Sequence, residues 1–247
     1  MAACRIQLCG SLAVRVAGRR VDAALPGRQG PLLLAHLVLH RGRDAGRDEL
    51  VDALWPDEPP ATPDASLRVL VSRLRAALGE ELVPRRGGVR LALPPDAWID
   101  VEAADEAIHR AGSAVGRGVW RDGWPAAHVA LNVSRRPFLV GHDDVPWVRE
   151  RRRHLEHVRL RALACWAAIG LGIGGTELAD AERAARLLVQ EAPYREDGHR
   201  LLMEVLAARG NRAEALQVYE ALRRRLRDEL GTAPGEGLRA LHARLLA

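Results

Sequence analysis

The fold of this chain is decided by residues 47–93, which read RDELVDALWPDEPPATPDASLRVLVSRLRAALGEELVPRRGGVRLAL. Three prolines, Pro56, Pro59 and Pro60, interrupt the stretch, and because proline cannot continue a helix they mark the end of a first short helix. That helix has one apolar face, formed by side chains at helical spacing: Leu50, Val51, Leu54 and Trp55.

A second helix is predicted from Asp64 to Leu78. Thr62 and Pro63 make a favourable start, because threonine can cap free N–H groups and proline fits the first helical position. Gly79 is a typical helix end. The spacing places one set of side chains on the buried face: Leu67, Val71, Leu74 and Leu78. Another set points outward: Val69, Ser72, Arg73 and Ala76, flanked by Arg68 and Arg75.

The outward face of this second helix suits the major groove of DNA. It carries no acidic residue after Asp64, its small side chains allow a close approach, and arginine or serine can reach base edges and phosphates. The alternative is an ordinary surface helix whose arginines are simply solvated.

A basic hairpin is predicted directly after the helix. Two strand-like runs, 82–84 and 89–93, flank Arg85, Arg86 and a Gly-Gly pair that suits a tight turn. A basic tip beside a basic helix favours contact with a DNA backbone or minor groove. We therefore predict the following DNA-binding residues: Arg68, Val69, Ser72, Arg73, Arg75, Arg85, Arg86 and Arg90.

These residues carry a family resemblance. Gly42-Arg43, the segments 47–55 and 67–79, Pro59-Pro60 and the segment 88–91 resemble the response-regulator-type winged helix of the Streptomyces antibiotic regulatory protein family. The string Val71-Ser72-Arg73-Leu74-Arg75 with its Leu-Gly ending is the most specific part. Three positions depart from the family pattern: Gly46 replaces a capping serine, Val89 replaces the usual wing tyrosine, and Arg68 replaces a polar residue.

The remaining N-terminal sequence fits that layout. Strands are predicted at about 4–9 and 12–17, with a possible third at Arg20-Val21, followed by an apolar helix at about 30–40. Pro94-Pro95 makes a plausible boundary between a winged-helix domain, residues 1–95, and a second domain, residues 96–247. The second domain is predicted to begin with a helix at 100–111, and residues 112–135 are the least readable part of the chain.

From about residue 147 onward the sequence is helical and repetitive. Ala181, Ala185 and Leu188 recur 34 residues later as Ala215, Tyr219 and Leu222, which is the period of tetratricopeptide repeats. An ordinary helical bundle remains the alternative on periodicity alone. Several segments are also very similar to the bacterial transcriptional activation domain of the same regulator family: 193–196, 199–203, 207–211, 214–220, 226–231 and Pro234-Gly235. The fold class predicted for the whole chain is mostly α with a small β component.

Composition bounds the classes of function. The chain has 247 residues and no lysine, and residues 1–95 hold 14 arginines against 10 acidic residues, so the basic excess lies mainly in the predicted DNA-binding part. Cys4, Cys9 and Cys165 show no spacing of a disulfide framework or a zinc site. The longest uncharged stretch, 162–176, is shorter than the roughly 20 apolar residues of a membrane helix. We expect a soluble, cytoplasmic, nucleoid-associated protein with no membrane contact.

No catalytic constellation is visible. The two clusters that deserve comparison with metal or acid–base sites are His142-Asp143-Asp144, in a turn, and His154-Leu155-Glu156-His157, on an arginine-rich helix. Turn hydrogen bonds and solvated surface charge explain them better. We therefore expect no enzyme activity, no cofactor and no metal.

The resemblance implies a transcriptional activator. Such a protein would bind direct repeats in double-stranded DNA, act as a homodimer on DNA and contact RNA polymerase, including its sigma subunit. The polymerase-contact candidates lie in the turn between the two helices: Trp55, Asp57 and Glu58. The alternative is a helical scaffold that binds a protein or peptide and whose winged helix has lost DNA affinity.

Overall fold

The computed structural model describes residues 4–85 and 88–247. Its chain is mostly helical with one small sheet, as the sequence predicted. The elements follow in the order β1 (Cys4–Gln7), β2 (Ala13–Val16), β3 (Arg19–Arg20), α1 (Gln29–Leu39), α2 (Arg47–Leu54), α3 (Pro63–Leu78), β4 (Trp98–Ile99), α4 (Asp100–Gly116), α5 (Trp120–Ser134), α6 (Pro146–Ile173), α7 (Leu178–Glu191), α8 (Glu196–Ala208), α9 (Arg212–Leu230) and α10 (Glu236–Leu246).

The chain forms two compact units. The first extends to Ala103 and includes Val133–Leu155, and the second comprises Ala104–Asn132 and Glu156–Ala247. Packing therefore divides the chain differently from the boundary that we placed between residues 95 and 96. The reason is that the segment 133–155, although distant in sequence, packs with the N-terminal strands.

The sheet has the strand order β3-β2-β1-β4. β1 and β2 lie within the two predicted strands and pair in antiparallel fashion, with Ile6 opposite Val14. The third strand contains Arg19 and Arg20 and is one residue earlier than the predicted Arg20-Val21. β4 was not predicted, because two residues are too short for an alternating pattern. It pairs in parallel with β1, and the buried side chains of Ile6 and Ile99 lie side by side.

Asp100 connects this sheet to α4. Its side chain is fully buried and accepts hydrogen bonds from the backbone N–H groups of Leu8, at 3.0 Å, and Cys9, at 2.8 Å. It also accepts one from Val101 at 2.9 Å, at the start of α4. Burial raises the pKa of this carboxyl group, and the three N–H groups act in the opposite direction because they favour the charged form. The same carboxylate thus holds the end of β1 and the beginning of a helix.

The first three helices pack around an apolar centre. α1 is almost entirely buried from Leu32 to Val38, and α2 contributes Leu50 and Leu54. α3 buries the predicted face, Leu67, Val71, Leu74 and Leu78. Gly79 ends α3 with a φ of +96°, a conformation that favours glycine. The predicted cap at Thr62 is not confirmed: its side chain makes no capping hydrogen bond, and Pro63 occupies the first turn instead.

The segment 133–155 is attached to this helical layer by specific contacts. The indole N–H of Trp147 donates to the carbonyl oxygen of Ala53 at the end of α2, at 2.9 Å. The Trp147 ring meets Phe138 edge-on, with 6.2 Å between centroids. Earlier in the same segment, the Leu139 N–H donates to the Leu8 carbonyl oxygen at 3.0 Å. These contacts explain why the segment belongs to the first unit.

The second unit has the tetratricopeptide-like arrangement expected from the 34-residue spacing. All six residues of the repeat pattern are buried: Ala181, Ala185, Leu188, Ala215, Tyr219 and Leu222. All of them except Ala181 pack with Leu202 and Leu206 of α8 in one core. Tyr219 also stacks on His242 of α10, with ring centroids 3.9 Å apart.

The glycines near the end of α6 lie partly inside the helix. α6 continues to Ile173 and so includes Gly170 and Gly172, whereas Gly174 and Gly175 follow the helix with positive φ values. A side chain on Gly172 would meet the Trp120 ring at 2.3 Å. Glycine is needed there because the indole of α5 packs directly on the helix backbone.

Asp100→Ala is expected to destabilise the protein by roughly 3 kcal/mol or more, because it leaves buried N–H groups without an acceptor. Chemical denaturation of the full chain measures the change. Asp100→Asn keeps one acceptor oxygen and a similar shape, so it should lower the free energy of unfolding less than Asp100→Ala does. An alanine variant as stable as the parent would contradict the role given to this carboxylate.

Tyr219→Ala is expected to lower the free energy of unfolding by about 3–5 kcal/mol, because it opens a cavity in the core of the second unit. Tyr194→Ala is the matched control: Tyr194 is 48% exposed, and its loss should cost no more than about 0.5 kcal/mol. Thermal unfolding of both variants tests the register. Equal effects at the two tyrosines would show that the repeat register is wrong.

Candidate nucleic-acid interface

The outward face of α3 is open to solvent, as predicted. Arg68, Val69, Ser72 and Arg73 are all exposed, while Leu67, Val71 and Leu74 anchor the opposite face. Val69 is 51% exposed, which is high for an apolar side chain on an otherwise well-packed helix. The face is therefore held rigidly from behind and carries short side chains between two long arginines.

Arg68 and Arg73 differ from the many arginines of the described chain that form ion pairs. Within residues 4–85 and 88–247, neither guanidinium has an acidic partner at ion-pair distance. Other arginines of the same unit are paired, for example Arg20 with Asp22 at 2.8 Å. The charges of Arg68 and Arg73 are therefore available to an external anion.

Arg75 was predicted to contact DNA, but the structure uses its head group internally. Its Nε donates to the carbonyl oxygen of Val83 at 2.8 Å, and one Nη donates to that of Pro84 at 3.2 Å. The side chain is half-buried. Arg75 thus holds the loop after α3 against the helix, a role that helical periodicity cannot reveal because the partners lie outside the helix.

The predicted hairpin of two strands is not formed by the described residues. Ala92 N–H donates to the Leu82 carbonyl oxygen at 2.8 Å, which keeps the two runs together. Val89 pairs instead with Ala45, before α2, in an isolated antiparallel bridge. Pro84 cannot donate to a ladder, and this favours a loop over a regular strand.

The basic side chains of this loop have acidic neighbours. Arg85 Nε donates to Glu80 at 2.7 Å, and this hydrogen bond holds the pKa of the Glu80 carboxyl group below its usual value. Arg90 lies 3.8 Å from Asp44. Both arginines are exposed. Arg86 lies outside the described residues.

The turn between α2 and α3 exposes two acidic side chains. Asp57 and Glu58 are open to solvent, and Trp55 is half-buried. Trp55 and Arg73 line the same shallow depression of about 390 Å³, together with Arg28 and Leu70. Trp55, the first of the predicted polymerase-contact residues, therefore lies next to the predicted DNA-binding face, and Asp57 and Glu58 follow it in the exposed turn.

Glu49 fixes the start of α2 where the family's serine is missing. Its carboxylate accepts two hydrogen bonds from Arg43, at 2.6 and 2.8 Å, one from His36 at 2.8 Å and one from Gly46 N–H at 3.3 Å. Arg43 is the largest cause of the lowered pKa of Glu49, which falls to about 2. The Glu49 side chain thus makes one half of a capping box, the bond to the N–H of residue 46, while the other half, a side-chain acceptor at residue 46, is absent because that residue is glycine.

In the first polar cluster considered from sequence, both aspartates form ion pairs with arginines, and the His142 side chain is buried. Asp143 pairs with Arg152, and Asp144 pairs with Arg28. His154, Glu156 and His157 are exposed along α6. None of the helices in the described part of the chain has the length and apolar character of a membrane span.

Two family descriptions match the chain. "Bacterial transcriptional activator domain" matches residues 99–246, and "Transcriptional regulatory protein, C terminal" matches residues 28–87. Both describe transcriptional regulators, which are not enzymes.

Curated relatives agree with these descriptions. Regulatory protein AfsR of Streptomyces coelicolor is 35% identical over 87% of this chain, and Transcriptional regulatory protein EmbR of Mycobacterium tuberculosis is 30% identical over 97%. The chain spans 21% of the length of AfsR and 62% of that of EmbR.

A solved structure is also similar. "Mycobacterium tuberculosis EmbR in complex with low affinity phosphopeptide" superposes with a TM-score of 0.84 at 27% identity, covering all of this chain and 65% of that one. The chain belongs to the Streptomyces antibiotic regulatory protein family of transcriptional regulators, in which a winged helix is followed by a bacterial transcriptional activator domain.

Proposed function

We propose that this regulator binds double-stranded DNA through the exposed face of α3 and activates transcription by recruiting RNA polymerase, including its sigma subunit. One observation carries the DNA contact: Arg68 and Arg73 stand exposed on either side of Val69 and Ser72, without an acidic partner in the described residues. An unpaired positive charge on a rigid helix face is the feature that a phosphate or a guanine edge requires.

The side chains of this face suit direct reading of a major groove. Arginine can bond both acceptors of a guanine, an apolar side chain such as Val69 can touch a thymine methyl group, and Ser72 can reach a base or a phosphate. The groove admits an α-helix, and small residues at the centre allow the backbone of α3 to approach closely.

The loop after α3 would add contacts to the DNA backbone. Arg85 and Arg90 are exposed and could exchange their carboxylate neighbours for phosphates, and we keep Arg86 in this group from the sequence. Arg75 would contribute indirectly, because it positions the loop that carries these side chains.

Family membership supports the remaining partners. We propose that the protein binds direct repeats as a homodimer on DNA, working at the chromosome in the cytoplasm. Asp57 and Glu58, which are exposed and negatively charged beside the DNA-binding face, would contact the polymerase. Because the chain spans only part of AfsR and EmbR, these assignments concern this chain alone.

Substitution of Arg73 should weaken binding to the operator. If Arg73 makes a bidentate base contact, Arg73→Ala should cost about 1–3 kcal/mol of binding free energy and relax the preference at one base pair. Arg68→Ala should weaken binding as well. Both positions are exposed, so the free energy of unfolding should change by no more than about 0.5 kcal/mol. Footprinting of the purified chain on DNA upstream of its own and neighbouring genes would locate the operator and provide the binding assay.

Arg75→Ala is the matched comparison on the same helix. Loss of its hydrogen bonds to Val83 and Pro84 should lower stability by about 1.5–3 kcal/mol, because the donor is charged. Arg73→Ala should therefore weaken DNA binding without changing the free energy of unfolding, whereas Arg75→Ala should lower the free energy of unfolding. Salt-independent or undetectable DNA binding by the parent protein would support the scaffold alternative instead.

Neutralising the turn between α2 and α3 should separate activation from binding. The double variant Asp57→Asn, Glu58→Gln removes two negative charges without removing side-chain volume, so operator affinity should not fall. In vitro transcription with purified polymerase should give less product than the parent protein at the same DNA occupancy. Full activation by this variant would exclude these residues as the polymerase contact.

A further inference from the structure

The first unit contains a group of metal-ligand side chains outside the proposed DNA contacts. His36 lies in the last turn of α1, His40 is the residue that directly follows that helix, and Glu49 lies in the first turn of α2. One ligand atom from each residue lies within 4.8 Å of the other two. Two histidines four residues apart, with a carboxylate from a neighbouring element, are a donor set that suits zinc.

His40 is oriented as a ligating histidine usually is. Its Nδ1 lies 2.9 Å from the carbonyl oxygen of His36. A carbonyl oxygen can only accept, so Nδ1 must carry the hydrogen and Nε2 must carry the lone pair. Metal-bound histidines typically donate their second nitrogen to a backbone carbonyl or a carboxylate in this way.

His36 is held in place by its surroundings. It is 6% exposed, its ring meets Trp147 edge-on with centroids 5.7 Å apart, and the His40 ring lies 4.3 Å away. Its Nε2 lies 2.8 Å from a Glu49 oxygen, whereas its buried Nδ1 has no hydrogen-bond partner among the described residues. The environment therefore satisfies only part of the hydrogen-bonding capacity of this imidazole.

The positive partner of Glu49 in the structure is Arg43. Its two Nη atoms donate to both carboxylate oxygens, and its side chain is 49% exposed. An exposed arginine can swing away into water, and its departure would leave two carboxylate oxygens beside two imidazoles. A divalent cation and Arg43 would then compete for one carboxylate.

We infer that His36, His40 and Glu49 form a binding site for a divalent transition-metal ion of the zinc class, with water as the fourth ligand, and that the ion replaces Arg43 as the partner of Glu49. Zinc–ligand bonds near 2.0–2.1 Å place tetrahedral ligand atoms about 3.3 Å apart. Binding through His36 Nε2 would require the hydrogen that this nitrogen now donates to Glu49 to move to Nδ1 through solvent, so that the ion replaces the hydrogen bond. The 2.8 Å separation of Nε2 and the Glu49 oxygen would then widen to about 3.3 Å through side-chain torsions. The bound ion ties α1 to the first turn of α2.

The test uses the full chain without a histidine tag, titrated with Co²⁺ for absorption spectra and with Zn²⁺ in thermal unfolding. The wild type should bind one ion in this site with a nitrogen- and oxygen-type cobalt spectrum, and Zn²⁺ should raise its Tm, because a ligand of the folded state stabilises it. His40→Gln should weaken binding by roughly 100-fold. His109→Gln, at an exposed histidine of α4, should leave binding unchanged.

Arg43→Gln distinguishes this site from adventitious binding elsewhere. Removal of the competing charge should strengthen Zn²⁺ binding by about 10-fold. Because the position is exposed, the variant should still fold. Unchanged affinity in both His40→Gln and Arg43→Gln would overturn the proposal. A sulfur-to-cobalt charge-transfer band would also overturn it, because it would assign the ion to a cysteine.

Discussion

The first unit depends on the burial of one carboxylate, that of Asp100. A buried charge is costly unless hydrogen bonds replace its lost water, and here backbone N–H groups from two elements replace it. The same short stretch, Leu8 to Gly10, also pairs with the segment that contains Phe138: Cys9 bridges Phe138, and Gly10 donates to the Pro137 carbonyl oxygen at 2.8 Å. Three distant parts of the sequence therefore meet at residues 8–10, and the sheet, the first residues of α4 and the segment 133–155 are held together within the first unit.

Local pattern was sufficient for the elements whose determinants lie within one helix. The two faces of α3 followed from 3.6-residue spacing, since Leu67 and Val71 must share a side wherever the helix lies. The repeat register was predictable for the same reason, with Tyr219 buried where the 34-residue period placed it. β4 and the role of Asp100 were not predictable, because both depend on partners more than 90 residues away.

The candidate site shows the same limit. Exposure of Arg68, Ser72 and Arg73 follows from the helix alone and was predicted correctly. The internal hydrogen bonds of Arg75 were not predicted, because their acceptors are carbonyl groups of a loop whose path no sequence pattern specifies. The predicted hairpin is absent from the described residues for a related reason. Val89 pairs with Ala45, which is distant in sequence, and not with the preceding strand-like run. In a chain whose basic residues are all arginine, the informative property is which guanidinium groups remain unpaired after folding.

The meeting of residues 8–10 with residues 100 and 137–139 has a consequence for synthesis on the ribosome. The β1 strand leaves the exit tunnel before its partners do, because its hydrogen-bond acceptor at Asp100 and its partner near Phe138 are made about 90 and 130 residues later. At typical elongation rates that delay is on the order of 10 s. For that time an apolar strand with unpaired N–H groups has no native partner beyond the neighbouring hairpin, so the nascent chain passes through a stage in which aggregation or chaperone binding competes with folding.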